Sequence, residues 1–296
     1  MIKFKQVNCH FLMLFFVILQ LSAQNKKGPY KIKKRTYTYQ KIKSERNLKL
    51  DLYQYKKKKT NSPLLIYVHG GGFSSGKRND KIPQYFSKEM AKNGYIVASV
   101  SYRLTMKNNG FGCNVSSNLK VDAFNEAAKD IYMAAQYLVA SKRRFKIDDQ
   151  KIILVGSSAG AEAILHLVYG NTSFKKDISF AGLVSMAGAL TTLKNITKQT
   201  AIPTQLFHGT KDQLVPYNIA PHHYCKKTDS GYLKLFGSKA IASKLKKTKE
   251  SYLLYTLENG DHSWNTRPIF EAKKYIVDFI ENVVINGKYV QKEIIR

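Results

Sequence analysis

The first regular pattern along the chain is an alternation of apolar and polar residues. It occupies two stretches, Thr36–Ile42 and Leu48–Tyr55, on either side of the polar tetrapeptide Ser44-Glu45-Arg46-Asn47. Two alternating stretches around a short polar connection predict a β-hairpin. Further along, the apolar runs become short and continuous, which is typical of strands that are buried on both faces. These runs are Leu64–Val68, Ile96–Val100, Lys151–Val155, Ala181–Met186, Thr204–Phe207 and Tyr252–Leu257.

Longer amphipathic segments separate these runs and predict helices. They are Gln84–Asn93, Asp122–Lys142, Ala159–Tyr169, Ser238–Lys247 and Pro268–Val284. Strands that alternate with helices predict an α/β fold. We expect a mostly parallel sheet of about eight strands, with an N-terminal antiparallel hairpin and helices on both faces. In such sheets the functional residues gather at the carboxyl ends of the strands.

The N-terminus has a different pattern. Lys3 and Lys5 precede an apolar run, Phe11–Leu21, which ends in the small residues Ser22 and Ala23. This order predicts a secretory signal peptide over residues 1–23, and the run is too short for a stable membrane anchor. The remainder, residues 24–296, has the length of one α/β domain. We therefore expect a secreted or periplasmic location.

Two cysteines, Cys113 and Cys225, lie outside the predicted signal peptide. An oxidising compartment permits a disulfide between them, and we predict one, although the sequence does not fix their separation. The sequence shows no metal-ligand spacing. His222 and His223 follow one another in a loop, but a metal site there would need more ligands than Cys225 alone.

The chain is strongly basic, with 49 Lys and Arg against 20 Asp and Glu and a net charge of +29. Much of this charge is lysine that is scattered along the chain. Scattered lysines favour a solvated surface over a specific binding site, and they allow a weak attraction to anionic surfaces. Because no recognised nucleic-acid motif accompanies the charge, nucleic acid is not an expected partner.

A Gly-x-Ser-x-Gly motif follows the predicted strand Lys151–Val155. It reads Gly156-Ser157-Ser158-Ala159-Gly160 and precedes a predicted helix. A serine at such a sharp strand-to-helix turn is exposed as a nucleophile, and glycine is needed two residues away on each side because larger side chains would collide. The motif predicts Ser158 as the nucleophile and Ser157 as a turn residue.

A second glycine-rich motif, His69-Gly70-Gly71-Gly72-Phe73, follows the predicted strand Leu64–Val68. Backbone N–H groups that point at a developing oxyanion stabilise it, each typically by about 3 kcal/mol, and glycines let the backbone come close enough. We predict that the N–H groups of Gly71, Gly72 and Ala159 form an oxyanion hole.

A nucleophilic serine needs a base, and the base needs a carboxylate that orients it. Asp212 lies in the loop after Thr204–Phe207, and His262 lies in the loop after Tyr252–Leu257. Nucleophile, acid and base thus follow three different strands in the order Ser, Asp, His. The competing residues have simpler interpretations: Asp261 as a turn residue, Asp229 as part of an insertion, His69 as a support of the glycine loop, His208 as a structural histidine and His166 as part of the core.

These motifs together make the chain resemble the α/β-hydrolase superfamily, and most of all small bacterial esterases related to the hormone-sensitive lipase and feruloyl/acetyl-xylan esterase groups. The resemblance covers about Lys33 to Val284. It includes Ser101-Tyr102-Arg103-Leu104 after the fourth strand. Two positions depart from the hormone-sensitive-lipase pattern, which has aspartate and glycine where this chain has Ser157 and Ala161.

The resemblance implies a serine carboxylesterase in which Ser158, Asp212 and His262 carry catalysis, with no metal or organic cofactor. The expected partner is a small-molecule or glycan ester with a short acyl chain or an acetyl or feruloyl group linked to carbohydrate. The stretch from Asn218 to Gly237 is expected to be a surface excursion that shapes the pocket. Two alternatives remain open at this point: a peptidase of the same fold, and a binding protein on a hydrolase scaffold.

Overall fold

The computed structural model describes residues 31–42, 47–55, 61–171 and 177–296. Within it, Ile32–Arg296 form one compact unit. The predicted signal peptide, residues 1–23, lies outside the described residues, as do residues 43–46 of the predicted hairpin turn.

In the described part of the chain, nine strands form one sheet in the order β1-β2-β4-β3-β5-β6-β8-β11-β12. The hairpin strand β2 is antiparallel to both β1 and β4, and every pair from β4 onward is parallel. The strands are β1 (Ile32–Gln40), β2 (Leu48–Tyr55), β3 (Ser62–Val68), β4 (Ile96–Val100), β5 (Ile147–Ser157), β6 (Gly182–Met186), β8 (Thr204–Gly209), β11 (Tyr252–Leu257) and β12 (Gln291–Ile295).

The prediction of a mostly parallel sheet of about eight strands with an N-terminal antiparallel hairpin is therefore confirmed. The strand among the nine that the sequence did not indicate is β12, which pairs with β11 at the edge of the sheet. Its sequence, Gln-Lys-Glu-Ile-Ile, has little apolar character, as is common for an edge strand with one solvated side.

The helices lie on both faces of the sheet, as predicted. They are α1 (Lys81–Lys92), α2 (Ser117–Ala140), α3 (Lys142–Phe145), α4 (Ala159–Tyr169), α5 (Ser238–Thr248), α6 (Pro268–Glu271) and α7 (Lys273–Asp278). The closing segment, predicted as a single helix, is broken at Ala272, where φ is −128°, and it ends in a π-helical stretch, Phe279–Ile285. None of the described helices is long and apolar enough to cross a membrane.

Strand β3 shows why its apolar run is continuous. Leu64, Ile66 and Val68 pack into the core on the face that carries α2, α4 and α5. Leu65 and Tyr67 point to the opposite face and pack against α1 and the closing segment. Burial of a large apolar side chain contributes about 1.5–3 kcal/mol, so a central strand that buries both faces is strongly fixed in register.

A second, small antiparallel sheet lies near the carboxyl edge of the large one. Its order is β7-β10-β9, with β7 at Ala189–Leu190, β9 at Ile219–Pro221 and β10 at Lys234–Gly237. A 3₁₀ turn, His222–Tyr224, lies between β9 and β10. The predicted excursion from Asn218 to Gly237 thus has structure of its own.

Candidate active site

Ser158 lies at the sharp turn between β5 and α4, as the motif predicts. Its backbone has a φ of +51°, which a non-glycine residue rarely adopts. The turn is held by hydrogen bonds from the Ser158 N–H to the carbonyl of Met186, 2.8 Å, and from the Glu162 N–H to the carbonyl of Ser158, 2.9 Å. A positive φ that is held from both sides is typical of a serine presented for nucleophilic attack.

The two motif glycines are needed for close backbone approach. A Cβ atom on Gly156 would lie 2.5 Å from the carbonyl oxygen of Gly160. A Cβ atom on Gly160 would lie 2.3 Å from the carbonyl oxygen of Val68, which belongs to the neighbouring strand β3. Both distances are far below van der Waals contact, so the turn excludes any side chain at these two positions.

The structure brings Ser158, His262 and Asp212 into one chain of hydrogen bonds. The Oγ atom of Ser158 is 2.8 Å from Nε2 of His262, and Nδ1 of His262 is 2.7 Å from Oδ2 of Asp212. Each residue comes from the loop after a different strand, namely β5, β11 and β8. The arrangement lets the imidazole accept the serine proton at Nε2 while the carboxylate holds Nδ1–H.

The loops that carry the acid and the base are fastened to each other. The Lys211 N–H donates to the carbonyl of Gly260, 2.8 Å, and the Thr210 N–H donates to the carbonyl of Leu257, 3.0 Å. A Cβ atom on Gly209 would lie 2.3 Å from the carbonyl oxygen of Gly260. These contacts fix Asp212 and His262 relative to each other before a substrate arrives.

Asp212 is fully buried and has four nearby donors. Its Oδ1 accepts from the N–H groups of Leu214 and Val215, at 2.9 and 3.0 Å, and its Oδ2 is 3.2 Å from Nε2 of His208 in addition to the contact with His262. Burial alone would raise the pKa of Asp212, but hydrogen bonds from His208 and His262 outweigh it and hold the pKa below the usual range. Asp212 is therefore a carboxylate throughout the neutral pH range.

His208 is a structural histidine, as the sequence indicates. Its Nδ1 is 2.8 Å from the Ser238 hydroxyl and its Nε2 is 3.0 Å from the carbonyl of Val215. With both ring nitrogens engaged and the side chain buried, His208 is a second partner of Asp212, at the same Oδ2 atom that His262 contacts. The sequence did not indicate this second contact to Asp212.

The glycine-rich loop lies directly against the nucleophile turn. Gly71 and Gly72 have φ values of +119° and +57°, and a Cβ atom on Gly70 would lie 2.9 Å from the carbonyl oxygen of Ser157. His69 supports the loop: its carbonyl accepts from the Tyr102 hydroxyl, 2.9 Å, and its ring stacks on Tyr102 with centroids 4.6 Å apart.

A cavity of about 310 Å³ joins the predicted oxyanion-hole residues to the triad, since Gly71, Gly72 and Ala159 line it together with Ser158 and His262. The remaining wall was not predicted from the sequence as site residues. It consists of Phe111, Glu162, Leu214, Val215, His222, His223 and Asn265. His222 and His223 belong to the excursion between β9 and β10, which therefore does shape the pocket.

The other carboxylates and histidines considered in the sequence take the simpler roles. Asp261 is exposed and its side chain accepts from the N–H of Ser263, 3.0 Å, at the start of the 3₁₀ turn that carries His262. His166 is buried inside α4 with its Nδ1 2.8 Å from the carbonyl of Glu162.

Cys113 and Cys225 form a disulfide, with their Cα atoms 5.3 Å apart. The bond joins the loop that contains Phe111 to the excursion that contains His222 and His223, so it connects two walls of the cavity.

Among the described residues, one cluster has the spacing of a metal site, namely Cys113, Cys225 and Asp229. Because the two sulfur atoms are bonded to each other, they offer no thiolate ligands there.

Comparison with known proteins finds that this chain is similar to several esterases. Residues 50–183 match the BD-FAE family model. The chain is 29% identical to Gut esterase 1 of Caenorhabditis elegans over 157 residues, which cover 50% of this chain and 27% of the relative. It is 32% identical to chlorogenic acid esterase of Aspergillus niger over 129 residues, which cover 43% of this chain and 23% of the relative. The match thus spans about a quarter of the length of these relatives.

Among solved structures, the apo form of Thermogutta terrifontis esterase 2 superposes with a TM-score of 0.62 at 19% identity. The superposition covers 87% of this chain and 96% of that one. At this identity the likeness establishes the fold, which agrees with the sheet order and the position of the nucleophile turn.

Proposed function

We propose that this chain, which has the α/β-hydrolase fold, hydrolyses carboxylic esters through an acyl-enzyme formed on Ser158. The observation that carries the proposal is the hydrogen-bonded chain from Ser158 through His262 to Asp212, with distances of 2.8 and 2.7 Å. The similarity to esterases over 50% and 43% of this chain supports the same class of reaction.

In the proposed mechanism, Oγ of Ser158 attacks the ester carbonyl carbon while Nε2 of His262 takes the hydroxyl proton. The tetrahedral oxyanion lies at the N–H groups of Gly71, Gly72 and Ala159, and Asp212 stabilises the imidazolium. Collapse breaks the bond to the alcohol oxygen, which takes the proton from His262 and leaves the acyl group on Ser158. A water molecule then attacks the acyl carbon and gives a proton to His262. The bond between that carbon and Oγ of Ser158 breaks as Oγ takes the proton back from His262, which releases the carboxylic acid and restores the enzyme.

We propose that the substrates are short-chain esters or acetyl or feruloyl groups linked to carbohydrate. The cavity of about 310 Å³ is at the small end of ligand sites, which supports a short acyl group. The similarity to a chlorogenic acid esterase supports an aromatic acyl group. A panel of chromogenic esters of increasing acyl length, with acetylated and feruloylated glycans beside it, tests this. Faster turnover of long-chain esters in emulsion would contradict the proposal and indicate a lipase.

The nucleophile is tested by Ser158→Ala with Ser157→Ala as the matched control. Ser158→Ala is expected to abolish ester turnover and labelling by a fluorophosphonate, with thermal stability nearly unchanged. Ser157→Ala is expected to lose far less activity, because its hydroxyl donates to the Asn265 carbonyl, 2.7 Å, and does not face the carbonyl of a substrate. Equal losses in both variants would mean that the nucleophile has been misplaced.

We also propose that the protein is exported to the periplasm or outside the cell, on the basis of the basic and apolar order of residues 1–23. The N-terminal sequence of the exported protein is expected to begin at Gln24.

The scattered lysines support a weak attraction to anionic surfaces. Retention of the protein on anionic vesicles, falling as salt is added, would reveal this attraction.

A further inference from the structure

Two buried polar side chains lie on the wall of the cavity beside Ser158 and have no part in the triad. Glu162 is four residues after Ser158 on α4, which puts it one helical turn from the nucleophile on the same side of the helix. His222 comes from the excursion between β9 and β10. Glu162 is 2% exposed and His222 1%, yet both line the cavity.

One polar atom of each side chain is buried without a hydrogen-bond partner among the described residues. These atoms are Oε1 of Glu162 and Nδ1 of His222. The nearest approach between the two side chains, from Oε1 to Nε2, is 3.8 Å, which is too long for a hydrogen bond. A buried polar atom without a partner costs about 1–3 kcal/mol, so two of them on one cavity wall indicate that a ligand supplies the missing partners.

The electrostatic surroundings favour an uncharged ligand group. Burial, and then the nearby charge of Asp212, raise the pKa of Glu162 well above its usual value, which favours the neutral form of this carboxyl. Burial lowers the pKa of His222 well below its usual value, so its imidazole is neutral too. The ammonium group of Lys120 donates to the carbonyl of Gly231, 2.9 Å. A protonated carboxyl and a neutral imidazole together offer both a donor and an acceptor.

A hydroxyl group is the simplest partner for a donor and an acceptor placed side by side, because it donates one hydrogen bond and accepts others. The neighbouring wall adds shape: Phe111 packs edge-on against the His222 ring with centroids 5.0 Å apart, so the polar pair lies next to an apolar surface. A hydroxyl on a small carbon skeleton fits this combination better than a fully apolar chain or an anion.

We propose that Glu162 and His222 form a subsite that binds a hydroxyl group of the substrate close to the scissile ester, and that they select hydroxylated esters over their deoxy analogues. This inference rests on the proposed ester hydrolysis at Ser158. The hydroxyl belongs either to the acyl part or to the alcohol part of the ester, and the two sources are separated by experiment.

The test compares kcat/KM within two matched pairs of esters. The acyl pair is methylumbelliferyl 3-hydroxybutyrate and methylumbelliferyl butyrate, and the alcohol pair is glycerol monoacetate and propyl acetate. The wild-type protein is expected to favour the hydroxylated member of one pair by at least about tenfold, because a site built to hydrogen-bond a hydroxyl discriminates strongly against its absence. The pair that shows the preference identifies the source of the hydroxyl.

The same ratio of kcat/KM values, hydroxylated ester over deoxy ester, is then measured for variants of the subsite. Glu162→Met keeps the length of the side chain without its polar atoms and is expected to bring the preference to within about threefold of unity. Glu162→Gln keeps a donor and an acceptor and is expected to retain most of the preference. His222→Phe is expected to match Glu162→Met, and it serves if that variant does not fold.

Labelling of Ser158 by a fluorophosphonate separates the two proposals. If Ser158 reacts with the fluorophosphonate and the unlabelled wild-type enzyme hydrolyses both members of each pair at equal rates, the subsite is disproved and ester hydrolysis stands. A preference that survives in both Glu162→Met and His222→Phe also disproves the subsite. If Ser158 is neither labelled nor required for turnover, ester hydrolysis at this serine is disproved as well.

Discussion

At the scale of single residues, the decisive feature is the set of donors around Asp212. Two backbone N–H groups hold Oδ1, and two histidines approach Oδ2, of which His208 is fixed by Ser238 and Val215 while His262 faces Ser158. Because the backbone donors occupy Oδ1, the orientation of the carboxylate is set independently of His262. Asp212 can therefore dictate which nitrogen of His262 carries the proton.

The first prediction concerns this control of the tautomer. In Asp212→Asn the side-chain oxygen would keep the two backbone donors, so the amide NH₂ would face Nδ1 of His262. The imidazole would then carry its proton on Nε2 and could not accept one from Ser158. We expect kcat/KM for an acetate ester to fall by a factor on the order of 10³–10⁴.

Asp261→Asn is the matched control, since Asp261 neighbours His262 in sequence but is exposed, and its side chain accepts from the N–H and hydroxyl of Ser263. It is expected to retain activity to within about threefold, as a surface change outside the triad. A comparable fall in both variants would show that the carboxylate partner has been misassigned.

The residues of the site differ in how far the sequence could predict them. That Ser158, Asp212 and His262 lie together could be predicted, because each follows a strand and the three occur in the order expected of a triad. Glu162 could not, because a helix position that is buried in a cavity has the same sequence surroundings as one buried in the core. Its spacing of four residues from Ser158 was the available signal. His222 could be placed near the site only by the structure, since it comes from an excursion with irregular backbone.

At the scale of elements, the loop from Gly70 to Gly76 matters most because it faces the nucleophile turn. Its two predicted donors differ in their surroundings. A Cβ atom on Gly71 would lie 2.3 Å from the carbonyl oxygen of Ser75, whereas the nearest atom to a Cβ on Gly72 is the Ser74 hydroxyl at 3.7 Å. The loop therefore requires glycine at one position for space and at the other mainly for its positive φ.

The second prediction compares these two glycines. Gly71→Ala is expected to displace the loop and to lower kcat/KM by about 10²–10³, the effect of losing an oxyanion donor. Gly72→Ala adds only the cost of a left-handed backbone, about 1–2 kcal/mol of stability, and is expected to lose less than about tenfold in activity. Steady-state kinetics and thermal unfolding of both variants check this, and the reverse order of activities would contradict the assigned loop geometry.

The third prediction concerns the Cys113–Cys225 disulfide, which closes a loop with a sequence separation of 112. A crosslink of this span is worth up to about 4–5 kcal/mol through the entropy of the unfolded chain. The double variant Cys113→Ser/Cys225→Ser is expected to unfold at lower urea concentration, and reduced wild-type protein should match it. Titration of the unfolded, unreduced mature protein is expected to find no free thiols, and two thiols per chain would refute the bond.

The elements also show where sequence patterns lose information. The central strands were predicted closely, because burial on both faces leaves a continuous apolar run, as in β4 and β11. The closing segment was predicted as one helix because its apolar residues recur at helical spacing. Its break at Ala272 and its π-helical end depend on how it packs over the sheet, which residue order alone does not specify.

At the scale of the whole molecule, the basic exterior contrasts with an interior that holds several neutral histidines. His69, His166 and His222 are all buried, and burial lowers the pKa of each of them, in the case of His166 to about 4. An unfolded histidine has a pKa of about 6.5. Between these values the three histidines bind more protons in the unfolded chain than in the folded one, so their titration favours unfolding in acid. The raised pKa of Glu162 acts in the opposite sense.

The fourth prediction follows from the sign of these shifts. A histidine whose folded pKa is depressed is neutral in both states above about pH 6.5, and its contribution to stability is lost as the pH falls from there toward about 4. For His166 the loss between pH 7.5 and pH 5 is about 2 kcal/mol. Asp212, whose pKa is held below the usual range, stays ionised over this interval and does not contribute to the change.

His166→Gln isolates that contribution. In the native protein, Nδ1 of His166 faces the Glu162 carbonyl, 2.8 Å, and Nε2 faces the Thr191 hydroxyl, 3.2 Å, which suits a neutral ring with its proton on Nδ1. Glutamine removes the titrating group, so this variant is expected to be less stable at pH 7.5 but to lose about 2 kcal/mol less than the wild type on going to pH 5. Urea unfolding at the two pH values measures the difference. An equally steep loss in the variant would show that His166 is protonated at the same pH in the folded and unfolded states, contrary to its burial beside Phe124.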